Sequence, residues 1–269
     1  MKQTTPDISN GQKKFLARIR HHKLIVQISR ILILILFVGI WEFSSTNGII
    51  DSFIFSSPSK IFECFWKMVL NKSIFLHLGI TLHETLLSFF LTTIISIFVA
   101  VFLWFSQKLS EILDPYLVVL NSLPKSALAP LLIVWLGATQ TTIIVAGMSV
   151  AVFGSILNLY TSFMNTDPGK IKLIYTLRGS KLQALTKVVL PSSVPAIISN
   201  MKVNIGLCLV GVIIGEFLAA RNGLGYLIIY SSQVFKMDWL LMSIVLLCIM
   251  AMGLYALISI LEKWCQKRY

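Results

Sequence analysis

Several polar side chains lie inside long apolar stretches of this sequence, where each of them needs a physical explanation. The residues in such positions are Glu84, Lys125, Lys202, Glu216, Asn121, Asn158 and Asn204. A charged group at mid-membrane costs roughly 2.5–3.5 kcal/mol on insertion scales, so it normally faces a protein interior or a polar cavity. These residues could therefore line a polar route. Alternatively, they reach the membrane surface, as Glu84 and Lys202 near span ends could, or hydrogen-bond between helices. As candidates for a translocation pathway we select Lys125, Asn158, Asn204 and Glu216.

The residue patterns of common catalytic and metal sites do not occur in this sequence. There is no G-x-x-x-x-G-K-[ST] phosphate loop, and there is no H-E-x-x-H or other metal-spaced cluster. His83 and Glu84 are adjacent in sequence, which on a helix points their side chains about 100° apart and disfavours a catalytic dyad. We therefore predict no catalytic residue, no metal site and no cofactor bound by this chain. A membrane-bound enzyme is disfavoured, and transport is favoured.

The composition is typical of an integral membrane protein. Of the 269 residues, 56% are hydrophobic and 13% are charged, whereas soluble domains carry roughly 25% charged residues. Residues 86–105, 141–164 and 239–261 contain no Asp, Glu, Lys or Arg, and each run can cross ~30 Å of hydrocarbon as a helix. Three further runs contain charge, at 24–43, 112–136 and 194–218. The sequence predicts an all-α polytopic membrane protein with about six transmembrane helices.

Two of these runs have a second feature of note. The first run along the chain, at 24–43, could be a signal peptide, but no small-x-small cleavage site follows it. We therefore expect an uncleaved helix. The third run along the chain, at 112–136, contains Pro124 and Pro130. Proline breaks the backbone hydrogen-bond ladder, and in lipid the freed carbonyl groups must find partners in protein or water. We predict a kinked or discontinuous helix there.

The distribution of charge predicts the orientation. The net charge is +12, and with six spans and the N-terminus inside, 16 of the 23 Lys and Arg residues fall in cytoplasmic segments. This asymmetry is the positive-inside pattern and predicts that both termini are cytoplasmic; it explains the basic charge better than nucleic-acid binding does. We predict a cytoplasmic tail at 1–23, a single transmembrane domain at 24–264 with a cytoplasmic loop at 165–193, and a cytoplasmic tail at 265–269.

Most of the basic, half-apolar stretch YTLRGSKLQALTKVVLPSSVP, residues 175–195, lies in the loop at 165–193. Apolar residues recur along it at roughly helical spacing, Gly179 divides it, and Pro191 precedes the next span. These features predict two short helices with a bend between them. Such a segment could lie on anionic lipid or dock into a groove on a soluble partner.

This stretch resembles part of the EAA loop of binding-protein-dependent ABC importer permeases. The motifs SSPSKIFECF, TLHETLLSF, LPKSALAPLLIVWLG and GEFLAARNGLGYLI occur in the order seen in permeases for nitrate, taurine, aliphatic sulfonates and some thiamine- or riboflavin-related compounds. The similarity covers about 200 residues, from Pro58 to near Leu261. The order and spacing of these motifs carry the resemblance, because no single motif is decisive.

The resemblance implies a type I ABC importer architecture in the plasma membrane of a prokaryote. It implies a homodimeric pore for a small polar or anionic solute, two cytoplasmic ATPase subunits that hold ATP and Mg²⁺, and an extracytoplasmic substrate-binding protein. The 165–193 loop would then couple the permease to the ATPases. The residues that we expect to take part in ATPase coupling are Tyr175, Arg178, Gly179, Lys181, Leu182, Leu185, Leu190 and Pro191.

The sequence departs from the family pattern at two points in this loop. The family glycine twelve residues before Leu190 corresponds to Arg178, and Gly179 stands one place later. The Glu-Ala-Ala that names the loop falls on Lys172, Leu173 and Ile174, so its acidic residue is missing. We therefore expect docking by shape and apolar contact. The alternative function is a stand-alone secondary transporter or channel, in which the basic segment lies on lipid.

Overall fold

A computed structural model describes residues 10–266, and every regular element in that range is helical. The elements, in chain order, are α1 (Asn10–Thr46), α2 (Ser52–Phe55), α3 (Pro58–Leu70), α4 (Ser73–Phe105), α5 (Gln107–Ser122), α6 (Lys125–Leu136), α7 (Gln140–Met164), α8 (Pro168–Thr176), α9 (Lys181–Ala184), a π-helical turn (Leu185–Val189), α10 (Leu190–Ala219), α11 (Leu224–Gln233) and α12 (Met237–Gln266).

The helices that could cross a membrane agree with the predicted spans. Five helical stretches of the described chain are long and apolar enough by length and composition, and a bent pair, α5 and α6, brings the number to six when it counts as one span. The prediction of an all-α protein with about six transmembrane helices is confirmed. The chain divides into two compact units, one ending at Glu63 and one beginning at Cys64.

In the first unit, the end of α1 is tied to the start of α3. The Glu42 carboxylate accepts hydrogen bonds from the Ser59 backbone N–H at 3.0 Å and from the Ser59 hydroxyl at 2.8 Å. The Ser45 hydroxyl donates to the Ser56 carbonyl at 2.8 Å. A carboxylate at a helix N-terminus satisfies N–H groups that have no partner within the helix. Glu42 therefore connects the end of α1 to the first turn of α3.

In the second unit, α4, α7 and α10 pack closely because small residues lie where they meet. A Cβ on Gly211 would lie 2.8 Å from the Ala146 carbonyl oxygen, and one on Gly215 would lie 3.0 Å from the Ile143 Cα. The Ser88 hydroxyl donates across the α4–α7 contact to the Ile144 carbonyl at 3.0 Å. Small residues let helices in a membrane approach until their backbones touch.

The third predicted span is discontinuous. α5 ends at Ser122, α6 starts at Lys125, and the two helices meet at an angle of 96°. The predicted break is thus confirmed at Pro124, whereas Pro130 lies inside α6. The Lys125 ammonium donates to the carbonyl oxygens of Leu120 at 2.5 Å and of Asn121 at 3.0 Å. These are carbonyl groups near the end of α5, where the helix leaves acceptors without a partner.

Candidate functional site

The 165–193 segment starts with a well-defined helix N-terminus. The Asp167 side chain accepts a hydrogen bond from the Gly169 backbone N–H at 2.8 Å, and Pro168 occupies the start of α8. Asp is a favoured N-cap, and proline in the first turn removes an N–H that would have no partner in the helix. The direction in which the chain leaves α7 is therefore encoded locally.

The end of α8 has the hydrogen bonds of a Schellman motif, with an arginine at its left-handed position. The Gly179 N–H donates to the Ile174 carbonyl at 2.8 Å, and the Arg178 N–H donates to the Tyr175 carbonyl at 2.9 Å. Arg178 has φ +61°, in the region that glycine usually occupies at this position. Arg178, which the resemblance aligns with a glycine, thus occupies the left-handed position. Gly179 is small for a different reason, because a Cβ there would lie 2.8 Å from the Ile174 carbonyl oxygen.

A second helix follows the bend directly, as predicted. Ser180 and Gln183 form a capping box, in which the Gln183 N–H donates to the Ser180 hydroxyl at 3.3 Å and the Ser180 N–H donates to the Gln183 side-chain oxygen at 2.8 Å. The chain then runs through the π-helical turn into α10, whose first residues are Leu190 and Pro191. The segment is therefore continuous with a membrane span.

The apolar residues of this segment lie in two different environments. One set packs into a core with Ala100, Trp104, Leu159 and Phe163 of α4 and α7; it consists of Ile171, Ile174, Ala184, Leu185, Val189 and Leu190. The other set is exposed to 45% or more of its area; it consists of Leu173, Tyr175, Leu177 and Leu182. We call this second set the exposed apolar face. Four large apolar side chains left uncovered on a short segment are typical of an interaction surface.

Lys181 ties the segment to the end of α4. Its ammonium donates to the Phe105 carbonyl oxygen at 3.0 Å and lies 5.4 Å from the centre of the Trp104 ring. A cation at a helix C-terminus is favoured because the last carbonyl groups carry partial negative charge, and a cation over an indole ring is also favourable. Lys181 thus joins α9 to α4.

The structure separates the residues selected for ATPase coupling by their accessibility. Tyr175 and Leu182 belong to the exposed apolar face, and Arg178 is exposed at the bend. Leu185 is 3% exposed and lies in the core beneath, with Leu190 packed beside it. The other three residues shape or anchor the backbone and are not part of the exposed apolar face; they are Gly179, Lys181 and Pro191. The coupling role of all eight residues stays a prediction.

The four residues selected for a translocation pathway make contacts with different parts of the fold. Lys125 closes the α5–α6 break and lies 5.5 Å from the centre of the Phe153 ring. Asn158 is exposed on α7. Asn204 is 1% exposed, and its amide donates to the Ser155 hydroxyl at 2.8 Å. Asn204 therefore makes an interhelical hydrogen bond, which is one of the two interpretations left open by the sequence.

Glu216 lies at the opposite end of the bundle from the 165–193 segment, and it holds the start of α11. Its carboxylate accepts the Thr81 hydroxyl at 2.6 Å and the Gly225 backbone N–H at 2.6 Å. The Leu224 N–H in turn donates to the Thr81 hydroxyl oxygen at 2.8 Å. Glu216 is fully buried. A glutamate after the GVIIG stretch is thus a helix-capping group in a protein interior.

Thr81 and Glu84 were not among the selected residues, although Thr81 donates directly to Glu216 and Glu84 follows Thr81 by three residues on α4. Glu84 is 2% exposed and so does not reach the membrane surface. Lys202 forms an ion pair with Glu262 of α12 and is therefore paired within the protein. The two glycines that follow Glu216 at positions 223 and 225 are a sequence signal that could have indicated a close approach of backbone to its carboxylate.

The comparison with protein families agrees with this architecture. The family model described as "Binding-protein-dependent transport system inner membrane component" matches residues 92–269. The chain belongs to this family. Because relatives include permeases for sulfonates, taurine, a thiamine precursor and riboflavin, the resemblance read from the motifs is confirmed. The chain is a permease subunit of an ABC importer, as predicted.

Individual relatives match over most of the permease. A protein of Haemophilus influenzae described as a probable ABC transporter permease is 29% identical over 80% of this chain and 87% of its own length. The putative aliphatic sulfonates transport permease SsuC of Bacillus subtilis is 23% identical over 84% of this chain and 82% of its own. Permeases of this family work with ATPase and substrate-binding subunits.

A solved structure shows the same fold. It is described as the inward-facing MetNI methionine ABC transporter, and its matching chain superimposes with a TM-score of 0.59 at 16% identity. The match covers 75% of this permease and 97% of that chain. The permease therefore has the type I ABC importer transmembrane fold.

Proposed function

We propose that this permease forms the translocation pathway as a homodimer in the plasma membrane of a prokaryote, with the 165–193 segment docked on ATPase subunits that bind ATP and Mg²⁺. A small polar or anionic solute would arrive from an extracytoplasmic binding protein. The permease itself would perform no catalysis. The observation that carries the proposal is the exposed apolar face, Leu173, Tyr175, Leu177 and Leu182, on a segment whose other face is packed.

Docking through this face follows from the way that the segment is built. Its inward residues and the Lys181 contact fix it on α4 and α7, so little further ordering is needed when a partner binds. Fully burying one leucine is worth roughly 1.5–3 kcal/mol, and four large side chains therefore provide enough area for a stable contact. The basic residues around the face support its placement on the cytoplasmic side.

A second copy of the chain is supported by the α5–α6 break. Non-helical backbone at membrane depth is tolerated only where it is covered by protein or lines a water-filled cavity. Leu123 and Pro124 are exposed at this break, and the following helix exposes Val134 at 81% and Trp135 at 69%. A second copy across this surface would remove the break from lipid. The same arrangement would leave Lys125 beside the pathway between the two copies.

The proposal is tested by changing the exposed apolar face without touching the core. Leu182→Ser removes one of the four exposed side chains, and we expect it to weaken binding of the ABC ATPase subunit by about tenfold to hundredfold. ATP-driven uptake should fall in parallel, while membrane insertion is unchanged. Lys187→Ser is the matched control, because Lys187 is exposed in the same segment but outside the face.

Two outcomes would contradict the proposal. ATPase binding that is equally strong in Leu182→Ser and in the control would exclude this face as the docking site. Uptake by vesicles that contain this chain alone, driven by an ion gradient and without ATPase or ATP, would favour the stand-alone transporter.

A further inference from the structure

A cavity of about 370 Å³ lies at the end of the second unit that is opposite the 165–193 segment. It is bounded by the first part of α4, by the turn between α6 and α7, and by the connection between α10 and α11. Its floor is buried and includes Glu84 and Ile143, which are 2% and 3% exposed. Its rim is exposed and polar, and it includes Thr139, Gln140, Arg221 and Asn222. A concave site of this size with a few polar groups that converge on it is typical of small-molecule binding.

The Glu84 carboxyl group on the floor has an unused hydrogen-bond acceptor. Its Oε2 is buried without a hydrogen-bond partner among residues 10–266, and none of the described Lys, Arg or His side chains is ion-paired with it. Glu216 at the same end differs, because its Oε1 accepts from Thr81 and its Oε2 accepts from Gly225, both at 2.6 Å. Buried polar groups are nearly always hydrogen-bonded, and buried charges are paired. Glu84 therefore lacks a partner that a bound molecule could supply.

The surroundings of Glu84 favour an ammonium group over a metal ion as that partner. Ca²⁺ takes six to eight oxygen ligands, whereas no three His, Cys, Asp or Glu side chains come together among the described residues. An ammonium group donates up to three hydrogen bonds and brings a positive charge, so one carboxyl group with a few neutral acceptors is sufficient for it. Rotation about the last bond of a glutamate side chain is broadly allowed, so Oε2 can turn toward the cavity that Glu84 lines.

The rim of the cavity contributes a charge of the opposite sign. Arg221 is exposed in the connection between α10 and α11, and its guanidinium has no hydrogen bond or ion pair with the described residues. A guanidinium presents a planar set of N–H donors that matches the oxygens of an anionic group. The cavity thus has a carboxyl group on its floor and a free guanidinium at its rim. A solute that carries both charges would satisfy both groups at once.

We propose that this cavity binds a small zwitterionic solute, with the ammonium group of the solute on Glu84 and its anionic group on Arg221. The inference rests on the proposed function in one respect, namely that the bound molecule is the transported solute. It narrows a small polar or anionic solute to one that carries a positive and a negative charge. A purely anionic solute would leave the Glu84 carboxyl group without a partner and would bring a second negative group toward it.

Thermal unfolding of the purified full chain in lipid nanodiscs measures this binding. The probes are β-alanine, γ-aminobutyrate and homotaurine, each paired with its counterpart that lacks the amino group: propionate, butyrate and propanesulfonate. A molecule that binds only the folded state raises the unfolding midpoint as its concentration increases. We expect at least one of the three zwitterions to raise the midpoint of the wild type, and we expect its counterpart to leave the midpoint unchanged.

Two variants connect the binding to the two charged groups. Glu84→Gln keeps the shape of the side chain and should weaken binding by about tenfold to hundredfold, because a charge-assisted hydrogen bond is lost. Arg221→Gln should weaken it by about threefold to tenfold, because the guanidinium is exposed and water screens its charge. The controls are Glu111→Gln and Lys236→Gln, which remove exposed charges outside the cavity and should bind as the wild type does.

Three results would overturn the proposal. They are a midpoint that no zwitterion raises above its counterpart, binding that Glu84→Gln leaves unchanged, and binding that Arg221→Gln leaves unchanged. If Glu84→Gln does not fold, Arg221→Gln decides alone, because Arg221 makes no contact that the fold needs. All of these measurements use the chain without an ATPase. Failure here would therefore leave the proposed ATPase docking in place, and failure of the Leu182→Ser test would leave this site in place.

Discussion

Arg178 occupies a backbone position that suits glycine, and replacing it should stabilise the 165–193 segment. A left-handed conformation costs an L-residue roughly 1–2 kcal/mol, whereas glycine adopts it freely. Against this gain, glycine adds roughly 0.5–1 kcal/mol of conformational entropy to the unfolded state. For Arg178→Gly, with φ +61° in the wild type, we expect a net gain of about 0.5–1 kcal/mol for the end of α8.

Hydrogen–deuterium exchange at the bend is the appropriate assay. The amides of residues 178 and 179 donate the two hydrogen bonds that close α8, at 2.9 and 2.8 Å, so they report on its opening. A gain of 0.5–1 kcal/mol should slow their exchange by about two- to fivefold, because 1.4 kcal/mol corresponds to a factor of ten. Leu177→Gly is the matched control. Leu177 has φ −79° and is 71% exposed, so glycine there relieves no strain and should speed exchange.

The comparison of these two variants decides whether the backbone argument is right. If Arg178→Gly speeds exchange as much as Leu177→Gly does, then the positive φ carries no strain that glycine can relieve. The Arg178 side chain would in that case stabilise the bend in a way that compensates for its backbone conformation.

Two further predictions concern the packing of the second unit. Gly211→Ala should destabilise the bundle by roughly 1–3 kcal/mol, since its Cβ would lie 2.8 Å from a backbone oxygen of α7. The control is Gly206→Ala, whose Cβ meets no atom within 4 Å and which should be neutral. Equal thermal stabilities of the two variants in detergent would contradict this account of the contact. Lys125→Met should lower the free energy of unfolding by roughly 1.5–3 kcal/mol, because two carbonyl groups at the end of α5 lose a charged donor. The thermal unfolding midpoint measures the loss. An unchanged midpoint would show that water replaces the ammonium.

The sequence predicts the elements of this fold better than it predicts their contacts. The helix break at Pro124 follows from the chemistry of proline, and the two short helices around Gly179 follow from local periodicity. The contact between Thr81 and Glu216 could not be predicted in this way, because it joins residues 135 positions apart. Such a contact depends on how α4 and α10 pack, and no local pattern records it.

The apolar pattern of the 165–193 segment shows the same limit. Leu182 and Leu185 are both among the residues that we expect to take part in ATPase coupling, yet Leu185 packs inward while Leu182 is exposed. Hydrophobic periodicity shows that a helix has an apolar side but does not show which neighbour covers it. The bend at Arg178 and Gly179 and the π-helical turn separate the two sets, and both are features of the backbone that periodicity does not register.

The attachment of Lys181 to α4 has a mechanical consequence. α4 is a single helix of 33 residues without an internal proline, so it is a rod about 50 Å long. Lys181 contacts the C-terminal end of this rod, and Thr81 lies toward the other end, where it donates to Glu216. Thr81 is about 36 Å along this rod from Phe105, so a pivot of about 5° at the Phe105 end would move Thr81 by about 3 Å. A hydrogen bond of 2.6 Å is lost when it lengthens by more than about 1 Å. Such a tilt of α4 relative to α10 would therefore break the bond between Thr81 and Glu216.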